Sequence, residues 1–177
     1  MQTRCAGFSM MEVLVAMLVI GTGALALVML QLHALRSSAE SARHASATLL
    51  ALELAELRAA SLPTSPTSPT PGTSDPYLFS FTAGKTPQAR ADCDLNPCSP
   101  GAFANAAIAD WAARLARDFP EARATVCRDA HSTPQDHWSC DEAATAPVVL
   151  KLGWRRGAVT ATAASARAPL LTLVLGR

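Results

Sequence analysis

The sequence predicts an α+β molecule in which one long N-terminal helix, apolar through its first half, lies on a small antiparallel sheet with one short extra helix. Three observations carry that expectation. Residues 13–30 (VLVAMLVIGTGALALVML) contain no charged side chain. From there to about residue 61 no proline interrupts the chain, and apolar residues recur at helical spacing. Toward the C-terminus, short runs alternate apolar and polar residues with the period of a strand. Composition narrows the class further. Hydrophobic residues make up 50% of the 177 but aromatics only 5%, which excludes a disordered chain and an aromatic-rich barrel. The balance of 15 basic against 14 acidic side chains supplies no cationic surface for nucleic-acid phosphates.

The first element is the membrane segment. Adding residues 8–11 to the uncharged run brings it to about the 20 residues a bilayer demands. Ahead of it lie the amino terminus, Arg4 and Glu12, and the basic pair belongs on the cytoplasmic side, so the rest is expected to be exported. Three readings compete: a secretory signal cut after Ala24-Leu25-Ala26, an uncleaved anchor, and a leader removed ahead of the apolar run. Glu12 argues against the first, because a carboxylate in an apolar segment costs about 2.5–3.5 kcal/mol at mid-membrane and a discarded signal gives it no purpose. The run Gly7-Phe8-Ser9-Met10-Met11-Glu12-Val13 resembles the type IV prepilin signature. The resemblance implies that a prepilin peptidase cuts between Gly7 and Phe8 and methylates the new amino group of Phe8, leaving Glu12 as fifth residue of the mature chain. There the Phe8 ammonium and the Glu12 carboxylate would neutralise each other between packed neighbours, making Glu12 the charge partner that sets register in assembly. Met10 stands where leucine is commonest, and the leader holds one arginine rather than a basic cluster.

The helix is expected to continue through residues 32–61 as an amphipathic half. Its inward stripe is read as Leu32, Leu35, Ala39, Ala42, Ala45, Leu49, Leu52 and Leu57, with Arg36, Glu40, Arg43, Glu53, Glu56 and Arg58 on the other faces. Pro63 stops it, and the prolines of residues 62–76 are too dense for helix or central strand, so an extended surface loop is expected. Ser99-Pro100 offers an N-cap and a first-turn proline for a second helix ending at Pro120. Ile108, Trp111, Ala112, Leu115 and Phe119 line one face of that helix, and Asp110 and Arg114 form an i,i+4 pair on the other. Strands are expected at 122–128, 148–155 and 170–175, in a sheet of three or four.

With residues 1–7 read as leader, residues 8–31 as membrane and filament-core half and residues 32–177 as exported head, Cys5 leaves with the leader and four cysteines remain. Four cysteines allow three pairings. In an oxidising compartment the local pairs Cys93 with Cys98 and Cys127 with Cys140 are expected, each closing a short loop. A zinc site of Cys127, His131, His137 and Cys140 is the rival, but the spacing fits no ordinary zinc pattern, so no metal or cofactor is expected. His131, Ser132, Asp129, Asp136 and His137 offer the residue types of a nucleophilic cluster. They lack a nucleophile elbow, a phosphate loop or paired carboxylates, and the chain is not expected to be an enzyme.

The whole layout resembles the minor pilins of type IV pili, and among them the PilV-like family of type IV pilus modification proteins. The LLALELAELRAA stretch, Cys98-Ser99-Pro100, Ala109-Asp110-Trp111, Val126-Cys127 and Leu152-Gly153-Trp154-Arg155 carry that resemblance beyond the leader. It implies a single-pass inner-membrane protein with a periplasmic head that then joins the priming or tip complex of an extracellular pilus. Its partners would be prepilin peptidase, other minor and major pilins, the inner-membrane assembly platform and a tip adhesin. A minor pseudopilin of a type II secretion system, or an anchored periplasmic binding protein that never polymerises, remains open beside it.

Overall fold

The computed structural model describes residues 9–61, 75–85, 93, 97–131, 133–141, 143–155 and 168–176. The expected leader, Phe8 and most of the proline-rich stretch 62–76 lie outside those residues. Two compact units divide the chain, Met1–His44 and Ala45–Arg177.

Helix α1 covers Met10–Ser61, 52 residues. In the first unit it starts on Ser9, whose hydroxyl accepts from Met11 N at 3.3 Å and whose carbonyl accepts from Glu12 N at 3.0 Å. The Leu, Val, Ile and Met side chains of its first six turns are exposed, as suits a surface made for lipid or for other helices. The one hydroxyl in this stretch, Thr22, is masked by donating to Leu18 O at 3.0 Å, which removes an unsatisfied donor from an apolar surface.

In the second unit the end of α1 packs on a four-stranded antiparallel sheet, β1 Ser80–Thr82, β2 Arg123–Arg128, β3 Val148–Gly153 and β4 Leu171–Gly176, in the order β1-β2-β3-β4. The three longer strands fall within two residues of the expected spans. β1 was not located from sequence, because three residues are too few to show an alternation. Helix α2, Pro100–Asp118, begins as expected: the Ser99 hydroxyl accepts from Ala102 N at 3.3 Å and Pro100 occupies the first turn. Its Trp111, Ala112 and Leu115 join Leu54, Tyr77, Phe119, Val126, Leu150 and Leu152 in one core. Trp111 turns its ring edge-on to Phe79 and donates its indole N–H to Leu50 O at 2.8 Å, so the buried ring leaves no polar atom unpaired.

The inward line of α1 differs from the one expected. Ala47, Ala51, Leu54 and Arg58 are buried, whereas Leu49 and Leu52 are 68% and 47% exposed. At about 100° per residue the two lines lie on nearly opposite sides of the helix. Leucines occur on every side of α1 between residues 49 and 57, so periodicity alone does not select a face. The small Ala47 and Ala51 do, because they let the helix approach its neighbours closely.

β3 is also more enclosed than an alternating pattern suggests, with all six residues buried. Val148, Leu150 and Leu152 face the helices. On the opposite face lie residues 133–141, which include the 3-10 turn Pro134–Asp136 and reach Lys151 and Gly153. Trp138 of that segment lies over Gly153 so closely that a Cβ there would meet its Cζ2 at 2.8 Å, and glycine is the residue that lets the indole down onto the strand.

Candidate functional site: the N-terminal assembly segment and the covered sheet face

Gly7 and Phe8 fall outside the described residues, so the structure does not place the expected cleavage point. Glu12 is described, in the first turn of α1. Ser9 as N-cap and Glu12 three residues on have the spacing of a capping box, and a carboxylate in the first turn complements the positive end of the helix dipole. Sequence reasoning assigned Glu12 to the Phe8 ammonium alone. The Ser-x-x-Glu signal for the second role was present in the sequence.

Cys93, Cys98, Cys127 and Cys140 sit in the second unit in two local pairs. Cys93 and Cys98 are bonded with Cα atoms 5.4 Å apart, Cys127 and Cys140 with Cα atoms 6.3 Å apart. The second bond ties the middle of segment 129–147 to the outer end of β2, and Asp129 N donating to Pro147 O at 3.0 Å closes the base of the same segment. Bonded in this way, Cys127 and Cys140 are not available as thiolate ligands, and the Cys2His2 arrangement weighed from the sequence does not form.

Beneath the segment lies a buried ion pair that the sequence did not announce. Lys151 of β3 and Asp129 have no exposed side-chain surface, and their Nζ and Oδ2 atoms are 2.5 Å apart. The ammonium also donates to His137 O at 3.0 Å and Ser139 O at 2.7 Å. Asp129 accepts from His131 N at 3.0 Å and meets the His131 ring at Nδ1. Burial would raise the Asp129 pKa, but the Lys151 ammonium and the hydrogen bonds from His131 outweigh it and hold the carboxyl at about 2. Of the cluster weighed for nucleophilic chemistry, the structure brings together Asp129, His131 and His137. Ser132 lies outside the described residues, and Asp136 sits on the 3-10 turn.

Two further charges make contacts that the sequence did not announce. Arg58 is 2% exposed rather than on a wet face: its Nε donates to Asp75 Oδ2 at 2.9 Å and its Nη1 to Leu175 O at 3.1 Å, pinning the end of α1 to the entry of β1 and to β4. Arg114 forks onto both carboxylate oxygens of Glu53 on α1, a partner the sequence did not announce, and the Asp110 charge expected beside it also acts on its guanidinium. Such a bidentate fit is the strong form of an arginine–carboxylate contact and joins the two helices. That hydrogen bonding raises the Arg114 pKa still further.

A concave surface of about 730 Å³ opens beside β1 and β2, with Arg123 stacked 4.2 Å from the centre of the Trp138 ring on its wall.

α1 is long and apolar enough to cross a membrane, with a mean hydropathy of 2.7 over its most apolar window. No curated protein and no solved structure matches the chain. Residues 2–28 match the prokaryotic N-terminal methylation motif. That motif implies processing by prepilin peptidase and association with other pilins, and it points to a structural role rather than an enzymatic one. Joined to an apolar N-terminal helix that packs on a small antiparallel sheet, it supports a type IV pilin-like protein.

Proposed function

We propose that the chain is a minor pilin of a type IV pilus, cut between Gly7 and Phe8, methylated at Phe8, and carried by residues 8–31 in the inner membrane with residues 32–177 in the periplasm until it joins the priming or tip complex. The observation that carries this reading is the run GFSMMEV at the head of the uncharged run of residues 13–30. A carboxylate in a membrane segment so near a new ammonium is worth keeping only where other helices enclose the pair. The local cysteine pairs suit an exported head. The major-pilin and pseudopilin roles share the same leader, and the PilV-like assignment rests on the head motifs alone.

Intact-mass analysis of the membrane-extracted protein tests the processing step. The expected mature chain starts at methyl-Phe8, and a chain starting after Ala26 would overturn the proposal. The role of Glu12 has its own test. Glu12→Ala is expected to leave the leader cleaved and the protein in the membrane while lowering its amount in sheared filaments. Filament content equal to wild type removes Glu12 from assembly. Loss of secretion with normal piliation on deletion of the gene would transfer the chain to a type II secretion system.

A further inference from the structure

Asp129, His131 and His137 form a cluster that the proposed function does not call on. A carboxylate oxygen of Asp129 and one ring nitrogen each from His131 and His137 lie within 4.8 Å of one another. The two imidazoles meet edge to face with centroids 4.5 Å apart. In both rings Nδ1 faces an acceptor: the Asp129 carboxylate for His131, and the Ser139 backbone carbonyl at 3.1 Å for His137. A carboxylate and a carbonyl can only accept, so the neutral ring carries its proton on Nδ1 and its lone pair on Nε2. The Ser139 hydroxyl, 3.2 Å from the same His137 nitrogen, is free to accept a share of that N–H. A histidine whose far nitrogen donates to a carboxylate or backbone carbonyl is oriented and tautomer-selected for a metal on its other nitrogen. Here two such histidines stand together.

We propose that His131 and His137, with one ring nitrogen from each, form a two-imidazole site for a first-row divalent transition ion of the Cu2+ or Zn2+ class. Water completes the coordination. Asp129 is a positioning residue: its oxygens are committed to Lys151 and to His131, and its charge is neutralised by the Lys151 ammonium. Two neutral nitrogen donors without a net carboxylate charge select against Ca2+ and Mg2+, which require oxygen. Among divalent ions the same donors favour Cu2+ over Zn2+. A bound ion would bridge residues 131 and 137 across the 3-10 turn Pro134–Asp136, inside the loop that Cys127 and Cys140 close.

The test uses the full chain, extracted in detergent without reductant and without a polyhistidine tag, titrated calorimetrically with Cu2+, Zn2+ and Ca2+. One Cu2+ per chain is expected at an affinity on the order of micromolar, with Zn2+ weaker and Ca2+ silent. His131→Ala and His137→Ala are each expected to weaken Cu2+ binding by about tenfold or more. The chain holds four histidines, so a His33→Gln, His44→Gln variant serves as the control and should bind as wild type does. Equal uptake by wild type and by a His131→Ala, His137→Ala double variant would overturn the site, as would loss of binding in the control. Should the alanine variants fail to fold, the electron paramagnetic resonance of wild type with one equivalent of Cu2+ decides. Hyperfine coupling to two imidazole nitrogens supports the site, and coupling to one or none sinks it.

Discussion

Tyr77 is the single tyrosine of the chain and is 2% exposed, so its phenol can be read without interference. Burial raises its pKa above the ordinary value near 10, partly opposed by its hydrogen bond with Ser61, because a phenolate is poorly solvated in the core. A group whose folded pKa is raised contributes stability that is complete below the unfolded pKa and is lost as pH climbs through the folded one. Tyrosinate absorbance is therefore expected to appear at higher pH in the native protein than in denaturant, and Tyr77→Phe should move the alkaline unfolding onset upward. Coincident native and denatured titrations would show the phenol to be solvated. At Lys151 the energetics are those of a buried pair, in which removing one partner strands the other. Lys151→Met is expected to lower the unfolding free energy by about 3–5 kcal/mol in urea titrations, since Asp129 would keep its charge with no ammonium beside it.

Helix α1 serves two environments, and its sequence is written accordingly. Over residues 13–30 every side chain is uncharged, so the surface is apolar all round; over the last four turns only Ala47, Ala51, Leu54 and Arg58 turn fully inward. Position rather than hydrophobicity then sets the value of a leucine. Leu54→Ala opens space in the core and should cost about 2–5 kcal/mol, whereas Leu49→Ala removes an exposed side chain and should stay within about 0.5 kcal/mol. Equal losses in chemical denaturation of the two variants would show that Leu49 is enclosed in the protein as extracted. α2 is held against the same end of α1 by the Trp111 indole and the Arg114–Glu53 fork, contacts that need side chains far apart in sequence.

For the molecule as a whole, the sheet is small and one of its faces is covered by irregular chain rather than by a helix. Such a layer buries little apolar surface per residue and depends on its fastenings. Segment 129–147 is fastened by the Cys127–Cys140 bond, by the Lys151 contacts and by Trp138 against Gly153. In the chain-entropy account a bond closing a loop of about 15 residues contributes about 3 kcal/mol. Cys127 and Cys140 are 13 residues apart, Cys93 and Cys98 only 5. A Cys127→Ser, Cys140→Ser variant is therefore expected to melt well below wild type, and further below it than a Cys93→Ser, Cys98→Ser variant. Equal melting of the 127/140 variant and wild type would leave the loop with no part in stability.

The sequence by itself determined the long helix, its apolar half, the N-cap at Ser99 and the three longer strands, because each of these rests on local periodicity or on capping and turn chemistry within a few residues. The leader motif was legible for the same reason. Which face of α1 turns inward, where Arg58 and Arg114 find their partners, why Lys151 can be buried in an otherwise apolar strand, and how His131 and His137 come to share one acceptor-lined corner were decided by tertiary structure. Each depends on a neighbour supplied from a distant part of the chain, and a buried charge in particular is tolerated only once that neighbour is in place.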